Sequence, residues 1–383
     1  MQQLQQLRRM RRMWWLRGLI PCFPQQGMKG LNHMACQKQW MFMPRILLQF
    51  HITGRCNLRC KHCYRMEGDV ERLSHEDVLT VFHQYEELRR SFNQARGSRR
   101  RGHINLTGGE PFMRRDMPEL LQYLGAHRQE YSYGILSNGS MIGQDMIRLL
   151  KETGVSFVQL SIDGKPETHN QLRAPGDYQR TMKKAAELEQ NGISTHISFT
   201  ANRGNMADLP LVARACRMKR ITRLWSDRLV PIGNGADLGE LTIGKEQLPQ
   251  YLKYLKQARG SKWKRLIWPH TEVRMARALQ CLGGGENYHC SAGDTLIVVD
   301  EMGQIMPCRR MPILCGDIYT TTLSDVYFSH PVFTSLRSCD IPEACIHCAH
   351  YFACQGGAKC QSYAYYGDFT HADPGCPLAM PEK

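Results

Sequence analysis

The chain has 383 residues, of which 42% are hydrophobic and 22% are charged. These values exclude a single small module and a disordered chain, and they fit two domains or one large barrel with an appendage. No stretch approaches the roughly 20 unbroken apolar residues that a membrane span needs. We therefore expect a folded chain without a membrane span.

The net charge of +15 is unevenly distributed along the chain. Residues 1–45 contain eight Lys or Arg and no Asp or Glu. A nucleic-acid or membrane-surface arm is one interpretation of such a segment. Because the remaining sequence lacks a comparable basic stripe, we favour a basic N-terminal tail over 1–44. This tail is either disordered or translated from an upstream start, and we expect no nucleic-acid partner.

Sixteen cysteines are unusual for a chain of this length. Arg17 interrupts the apolar run 13–20, which leaves too short a hydrophobic region for a signal peptide. Without secretion a disulfide scaffold is not expected, and metal binding becomes the leading explanation. The sequence therefore predicts a reducing, cytoplasmic location.

From Arg45 to about Val230, short β-branched runs alternate with helical patterns, which indicates βα units around a parallel sheet. The predicted strands are 46–51, 103–107, 131–137, 157–162, 193–200 and 222–230. The predicted helices between them are 74–90, 117–128, 144–153, 178–191 and 207–218. Six such units favour a curved, partly closed barrel over a flat sheet.

After Val230 the pattern changes. A glycine-rich stretch covers 231–244, a further helix is predicted over 245–259, and a basic linker follows. From Cys281 onward cysteines are frequent and regular periodicity weakens. We therefore predict a barrel over 45–235, a helical bridge over 236–280 and a small Cys-rich domain over 281–383.

The strongest local motif is Cys-Asn-Leu-Arg-Cys-Lys-His-Cys, with its thiols at Cys56, Cys60 and Cys63, directly after the first predicted strand. Three thiolates at this spacing can hold three irons of a [4Fe–4S] cube and leave the fourth iron without a protein ligand. An open iron allows a cofactor to bind the metal directly. A zinc site is the alternative, although zinc normally takes four protein ligands in structural sites.

Polar or glycine-rich signatures follow four of the predicted strands. They are Thr-Gly-Gly-Glu-Pro at 107–111, Ser-Asn-Gly at 137–139, Ser-Ile-Asp-Gly at 161–164 and Thr-Ala-Asn at 200–202. In parallel βα architectures, ligands bind at the carboxyl ends of the strands. Each motif alone is typical of a turn, and it is their order behind a three-cysteine loop that makes them specific.

These signatures contain candidate contacts for a small cofactor. Gly108 and Gly109 would let the backbone approach it, and Glu110 or nearby carbonyls would accept from an ammonium group. The other candidates are Ser137 and Asn138 for a ribose hydroxyl, and Ser161 or Arg173 for a carboxylate.

Residues 46–230 thus resemble the radical SAM superfamily, in the three-cysteine loop, the Gly-Gly-Glu segment and the later strand-end motifs. The resemblance implies a partial (β/α)6 TIM-type barrel with a [4Fe–4S] cluster and S-adenosylmethionine (SAM) at its C-terminal mouth. It further implies that reduction of the cluster splits SAM into methionine and a 5′-deoxyadenosyl radical, which abstracts a substrate hydrogen. An electron donor such as flavodoxin or ferredoxin would then be a partner.

The C-terminal cysteines resemble the SPASM extension of radical SAM enzymes, which holds two auxiliary [4Fe–4S] clusters. The alternative is a zinc knot, because paired Cys-x-x-Cys spacing is shared with zinc modules. Five residues separate Cys354 from Cys360, where the commoner pattern has three. The resemblance assigns Cys345, Cys348, Cys354 and Cys376 to an outer cluster, and Cys290, Cys308 and Cys360, with Cys281 as a further candidate, to an inner one.

Members of this subgroup mostly modify peptides or proteins, and a peptide or protein substrate is our first expectation. Haem or tetrapyrrole biosynthesis is the alternative reaction, and a non-catalytic Fe–S electron-transfer protein is the alternative from another class. Sulfatase-type maturation is disfavoured because Arg309 follows Cys308 where those enzymes carry a catalytic Asp. Only about 45 residues precede the first strand, so we expect leader binding by the barrel itself or by a separate protein.

Overall fold

Parallel strands alternate with helices from residue 47 onward, as the periodicity predicts. The computed structural model describes residues 45–65, 72–260, 271–275, 278–288, 290–338 and 340–380. The predicted basic tail over 1–44 lies outside the described residues. The strands are β1 Leu47–Thr53, β2 Gly102–Gly108, β3 Tyr131–Leu136, β4 Phe157–Ser161, β5 Thr195–Ala201, β6 Arg223–Arg228, β7 Glu272–Met275, β8 Leu296–Val299, β9 Gln304–Met306 and β10 Gly316–Asp317.

The helices follow the strands in the order expected for βα units. The capping box that Ser74 forms with Asp77 starts the first helix, where each side chain bonds the backbone N–H of the other. The α-helices of the described residues are α1 His75–Ala95, α2 Met117–Ala126, α3 Gln144–Glu152, α4 Pro166–Leu172, α5 Asp177–Gln190, α6 Leu209–Met218, α7 Leu248–Arg259, α8 Leu323–Ser329, α9 Pro331–Arg337, α10 Tyr351–Cys354 and α11 Lys359–Tyr366.

All ten strands belong to one sheet, in the order β10-β9-β8-β1-β2-β3-β4-β5-β6-β7. Strands β1 to β7 are parallel to their neighbours, and β8 pairs parallel with β1. Strands β9 and β10 are antiparallel additions at the edge. Helices packed on a parallel, open sheet are the arrangement of a partial barrel, which confirms the predicted α/β fold class.

Successive side chains of β1 face the hydrophobic core and the barrel interior in turn. Leu48 and Phe50 are fully buried in the main hydrophobic cluster, together with residues of helix α1 such as Phe82. The intervening Gln49 and His51 are also buried but contact polar groups, because successive side chains of a strand point to opposite faces. The inner face of β1 is therefore polar while its outer face holds the helices.

The amino ends of the inner strands are filled by stacked rings. Phe157 at the start of β4 lies between His103 on β2 and His196 on β5, with ring centroids 5.6 and 4.3 Å away. Gly134 on β3 leaves the space for Phe157, since a Cβ there would lie 2.5 Å from its ring. These rings fill the barrel opposite the strand ends that carry the predicted site.

The described part of the chain contains no helix that is both long enough and apolar enough to cross a bilayer.

Candidate functional site

One cavity at the carboxyl ends of the strands brings most of the predicted site residues together. Cys56, Cys60 and Cys63 line it from the loop after β1. The ends of β2, β3 and β4 contribute to the same wall. Of the predicted cofactor contacts, the lining includes Gly108, Gly109, Ser137, Asn138, Ser161 and Arg173.

The three-cysteine loop is held by its own backbone and by arginines. The N–H of Cys63 donates to the carbonyl of Cys60 at 3.2 Å, and Arg59 Nη1 donates to the carbonyl of Cys56 at 2.6 Å. Arg173 Nη1 lies 3.6 Å from the Cys60 sulfur. Burial raises the pKa of Cys60 to about 11, although Arg173 opposes this shift. A cationic group beside a thiol favours the thiolate that binds metal.

Gly108 and Gly109 join the end of β2 to the start of the cysteine loop. The N–H of Gly109 donates to the Thr53 carbonyl at 2.8 Å, and the next N–H, of Glu110, donates to the Arg55 carbonyl at 2.7 Å. A Cβ at Gly109 would lie 2.1 Å from that carbonyl oxygen, a distance at which no side chain fits. These glycines therefore also allow close approach of the cysteine loop, in addition to lining the cavity.

Glu110, the predicted ammonium acceptor, is bonded to the turn that follows β3. It is fully buried, and its carboxylate accepts from Ser137 Oγ at 2.7 Å and from the Asn138 N–H at 2.7 Å. Burial raises the pKa of Glu110 to about 7, and these hydrogen bonds oppose the shift. The loop after β3 supplies the donors that this buried carboxylate needs. Glu110 thus holds the Ser137–Asn138 turn in place from behind the cavity. That Glu110 or nearby carbonyls accept from an ammonium group stays a prediction.

The Asn138 side chain reaches the cysteine loop directly. Its Nδ2 donates to Asn57 Oδ1 at 2.8 Å. The Ser137 hydroxyl donates to Glu110 and accepts from the Gly139 N–H at 2.8 Å. Of the two predicted ribose contacts, Asn138 is therefore linked to the loop and Ser137 to the turn itself.

Asp163 is a site residue that the sequence reasoning did not select. It is fully buried, and its Oδ2 accepts from Arg173 Nε at 2.6 Å and lies 3.1 Å from His62 Nε2. Burial alone would raise the pKa of Asp163, but Arg173 and His62 outweigh it and hold that pKa well below its usual range. Asp163 therefore orients Arg173 towards Cys60. In the sequence, its position in the Ser-Ile-Asp-Gly motif at 161–164 could have identified it as a site residue.

Comparison with known proteins agrees with this geometry. A family model described as the radical SAM superfamily matches residues 50–210, which include the cysteine loop and the strand ends. An AdoMet-dependent heme synthase of Oleidesulfovibrio alaskensis is 25% identical over 358 residues, 88% of either chain. A PqqA peptide cyclase of Granulibacter bethesdensis is 26% identical over 351 residues, again 88% of either chain.

Residues 50–210 of the chain form a radical SAM domain. Solved structures of Streptococcus suis SuiB, bound to S-adenosylmethionine and bound to precursor peptide SuiA, match the chain with TM-scores of 0.68 and 0.65. Each is 15% identical and covers 99% of this chain and 88% of its own, so the likeness concerns the fold. The predictions of a radical SAM fold and of a radical SAM enzyme are confirmed, and the non-catalytic carrier is not retained.

Radical SAM enzymes use SAM and a [4Fe–4S] cluster, and the cavity residues fit both. Three thiols from one short loop face the same cavity as the glycine-rich end of β2. His62, which stands between two of these cysteines, points its Nε2 at Asp163 and at Arg173. The donor set nearest the loop is thus three sulfurs, as an iron–sulfur cube with one open iron requires.

The predicted auxiliary cysteines separate into two groups. Cys290, Cys308 and Cys360 pack in one small apolar cluster. Cys354 is in electrostatic contact with Cys345 and Cys376, and Cys348 with Cys376. Cys281 interacts electrostatically with Cys348 and Cys354 of the predicted outer group, and its role as a ligand of the inner cluster stays a prediction.

Within the described residues, no three His, Cys, Asp or Glu side chains are placed together as a site for a single metal ion.

The sequence reasoning also missed the far wall of the cavity. Tyr64, Arg228, Arg309 and Arg310 line it, although they come from three separate segments of the chain. Arg228 lies at the end of β6, and the two neighbouring arginines follow Cys308. Sheet order brings Arg309 and Arg310 to the mouth of the barrel, because β8, which precedes β9 and these arginines in the chain, pairs with β1. Tyr64 directly follows the cysteine loop and Arg228 lies in a predicted strand, but their side chains were not selected as site residues.

Proposed function

We propose that this radical SAM enzyme abstracts a hydrogen atom from a peptide or protein substrate and thereby starts a post-translational modification. The observation that carries the proposal is the single cavity that contains the three-cysteine loop, the ends of β2 to β5 and a further polar wall. The PqqA peptide cyclase among the relatives and the precursor peptide in one SuiB structure support a peptide as the substrate.

The residues of the chain position the reactants. A bound [4Fe–4S] cluster would supply the electron for the reductive cleavage of SAM. Cys56, Cys60 and Cys63 would hold the cluster. Arg173, fixed by Asp163, provides positive charge beside Cys60 for the anionic loop and for a carboxylate.

The remaining contacts would orient the nucleoside and exclude water. The backbone at Gly108 and Gly109 forms a wall without side chains, against which a cofactor can lie closely. Asn138 and Ser161 line the same space and offer hydrogen-bonding groups. Exclusion of water from the cavity would protect a reactive radical from solvent and direct it to the substrate.

We propose two auxiliary [4Fe–4S] clusters in the C-terminal segment. The inner one would use Cys290, Cys308 and Cys360, and the outer one Cys345, Cys348, Cys354 and Cys376. Cys281 remains a further candidate ligand of the inner cluster, whose fourth iron lacks an assigned cysteine. Such clusters would accept the electron left on the product radical or conduct it towards the surface. An electron donor such as flavodoxin or ferredoxin, which would reduce the cluster at the three-cysteine loop, is a proposed partner. A separate leader-peptide-binding protein is a further proposed partner.

A second candidate function is tetrapyrrole modification. It is favoured by the AdoMet-dependent heme synthase, which matches across 88% of both chains. The substrate would then be a porphyrin with propionate side chains. Both functions would use the same radical-generating cavity. They differ in the substrate, a peptide or a porphyrin, that would bind against its far wall.

Anaerobic reconstitution followed by dithionite and SAM tests the proposal. We expect release of 5′-deoxyadenosine and about twelve irons per chain, four for each of three cubes. Cys56→Ala should abolish the release, because it removes a ligand of the open cube. Cys216→Ala, which changes a buried cysteine of helix α6, is the control and should retain it. Unchanged release from Cys56→Ala would contradict the proposed cluster, and stoichiometric zinc would contradict the auxiliary clusters.

A further inference from the structure

The cavity as a whole is rich in guanidinium groups. Of the described residues that line the cavity, four are arginines and none is Asp or Glu. A cleft lined by one sign of charge concentrates ligands of the opposite sign. The four are Arg173, Arg228, Arg309 and Arg310.

Two of the four pair with carboxylates that are fully buried in the protein. Arg173 bonds Asp163 beside the cysteine loop. Arg228 pairs with Asp373, and the side chains of both are at most 2% exposed. Arg228 is therefore enclosed by its partner, and Arg173 faces Cys60 on the cofactor side of the cavity.

Arg309 and Arg310 have a different environment. Arg309 donates to the neutral side-chain oxygen of Gln49, and its guanidinium carbon lies 5.2 Å from the centroid of the Tyr64 ring. Arg310 pairs with Asp227 at 2.8 Å, and the side chains of this pair are 13% and 17% exposed. Both arginines line the cavity and are only partly buried, whereas Arg228 is buried.

Their position relative to the cluster loop is favourable for substrate binding. Tyr64 directly follows Cys63, so Arg309 lies next to the loop that would generate the radical. A group bound at Arg309 or Arg310 would hold the rest of its molecule inside the cavity that SAM would share. Fixing a substrate near the reacting centre is a main source of rate acceleration.

We propose that Arg309 and Arg310 bind a carboxylate of the substrate. A guanidinium presents paired N–H donors that match the two oxygens of a carboxylate, and in a partly buried site such a pair is strong and geometrically specific. The inference rests on the proposed function and specifies a chemical group, a carboxylate, that the substrate carries. The carboxylate has two sources, an acidic residue or C-terminus of a peptide, and a propionate of a tetrapyrrole.

The test follows deuterium from the substrate into 5′-deoxyadenosine. The reconstituted full chain is given SAM, dithionite and one of three probes. These are a perdeuterated peptide pool with free carboxyl groups, the same pool with every carboxyl group converted to an amide, and a porphyrin deuterated on its propionate chains. Mass spectrometry of the released 5′-deoxyadenosine then reports which probe lost a hydrogen atom.

We expect the free-acid peptide pool to transfer at least about tenfold more deuterium than the amidated pool, because a buried guanidinium left without its carboxylate loses a charged hydrogen bond. Arg309→Gln and Arg310→Gln should each lower this acid-to-amide ratio about tenfold. Arg309→Lys keeps the charge and should retain an intermediate ratio. Arg148→Gln, on the exposed face of helix α3, is the matched control and should keep the wild-type ratio.

Iron content and the release of 5′-deoxyadenosine without substrate check each variant for intact clusters. If Arg309→Gln loses iron, the carboxylate inference is tested by the acid-to-amide ratio of the Arg310→Gln variant and by the wild-type comparison of the acidic and amidated pools. Equal transfer from the acidic and amidated pools would overturn the carboxylate inference, as would a wild-type ratio in both glutamine variants. Deuterium from no probe, with 5′-deoxyadenosine still released, would overturn it too.

The proposed function fails by different results. Transfer from the porphyrin alone would support carboxylate binding and overturn the peptide substrate. Absence of 5′-deoxyadenosine under all conditions would overturn SAM cleavage itself, and the inference with it.

Discussion

At the scale of single residues, the cavity depends on buried charges that are each matched by a partner. Asp163 shows this most clearly, because its two oxygens serve Arg173, His62 and the backbone N–H of Thr200, which donates at 2.8 Å. Removing such a carboxylate leaves a buried guanidinium uncompensated, which costs more than the pair itself contributes. The polar residues behind a catalytic wall are thus as constrained as those that line it.

The histidines at the closed end of the barrel illustrate the opposite case, of buried groups that remain neutral. Burial lowers the pKa of His103 to about 3, with Arg45 adding to the shift, and lowers the pKa of His196 to about 4, with Arg223 adding. His103 bonds Ser132 Oγ at 2.8 Å and Asn105 Oδ1 at 3.0 Å, which satisfies both ring nitrogens.

These two pKa values predict a loss of stability in acid. Between pH 6.5 and the folded-state pKa, the unfolded chain binds more protons than the folded one, so stability falls as the pH falls. From pH 7.5 to 5.5, one such histidine removes about 1.4 kcal/mol from the free energy of unfolding. His103→Gln should reduce the acid loss by about this amount, measured by anaerobic urea unfolding of the reconstituted protein at both pH values.

The comparison between variants removes the acid lability that all of them share through their clusters. His83→Gln, at an exposed position on helix α1, should follow the wild-type pH dependence. A His103→Gln variant that loses as much stability as wild type would mean that this histidine is already protonated in the folded state.

At the scale of elements, the Gly-Gly-Glu segment couples strand β2 to the cysteine loop. We expect Gly109→Ala to displace the Arg55 carbonyl, because its Cβ would lie 2.1 Å from that oxygen. Overpacking of this kind costs about 1–3 kcal/mol, and here the strain falls on the loop that holds Cys56. The expected result is a loss of about four of the irons after reconstitution, measured by metal analysis.

Gly143 offers a matched control for this substitution. It precedes helix α3 with φ −85°, and a Cβ built there meets no atom within 4 Å. Gly143→Ala should therefore keep the full iron content. Normal iron in Gly109→Ala would show that the loop adapts, and the close approach would then not explain the glycine.

The elements of the barrel could be read from the sequence, while the elements at its edge could not. Strands β1 to β6 fall within two residues of their predicted bounds, because they are short β-branched or apolar runs that alternate with helical patterns. Strands β7 to β10 have two to four residues, too short for a periodicity to appear. The run Leu296–Val299 is buried throughout, and only its pairing with β1 identifies it as a strand.

The same division holds for the site. The cysteine loop and the strand-end motifs are local, so spacing predicted them. Asp163 was part of a recognised motif, but its role depends on Arg173, which comes ten residues later, and on His62, which comes from another loop. Arg309 and Arg310 join the cavity only through the sheet order, which no local pattern encodes.

At the scale of the whole molecule, the C-terminal segment is part of the barrel's structure as well as its neighbour in sequence. Strand β8 extends the parallel sheet beside β1. Gln361 on helix α11 donates to the Leu229 carbonyl at 2.9 Å, and Arg228 at the end of β6 pairs with Asp373. We therefore expect perturbation of the C-terminal segment to be felt at the cavity.

The Arg228–Asp373 pair makes this expectation measurable. Asp373 also accepts from the N–H groups of Ala358 at 3.0 Å and Gly375 at 2.9 Å, so it organises the chain around Cys360 and Cys376. Asp373→Asn leaves the guanidinium of Arg228 buried without a counter-charge, which should cost about 3–5 kcal/mol in unfolding free energy. Asp145→Asn breaks an exposed pair with Arg148 and should cost no more than about 1 kcal/mol.

Urea unfolding of the reconstituted protein, followed by tryptophan fluorescence and by cluster absorbance, separates two behaviours of the Asp373→Asn variant. If the barrel and the C-terminal segment unfold together, both signals shift to lower urea by the same amount, because one buried pair supports both sides of the contact. If only the absorbance shifts, the segment unfolds by itself, and the pair then stabilises the cysteine-rich region without supporting the strand that carries Arg228.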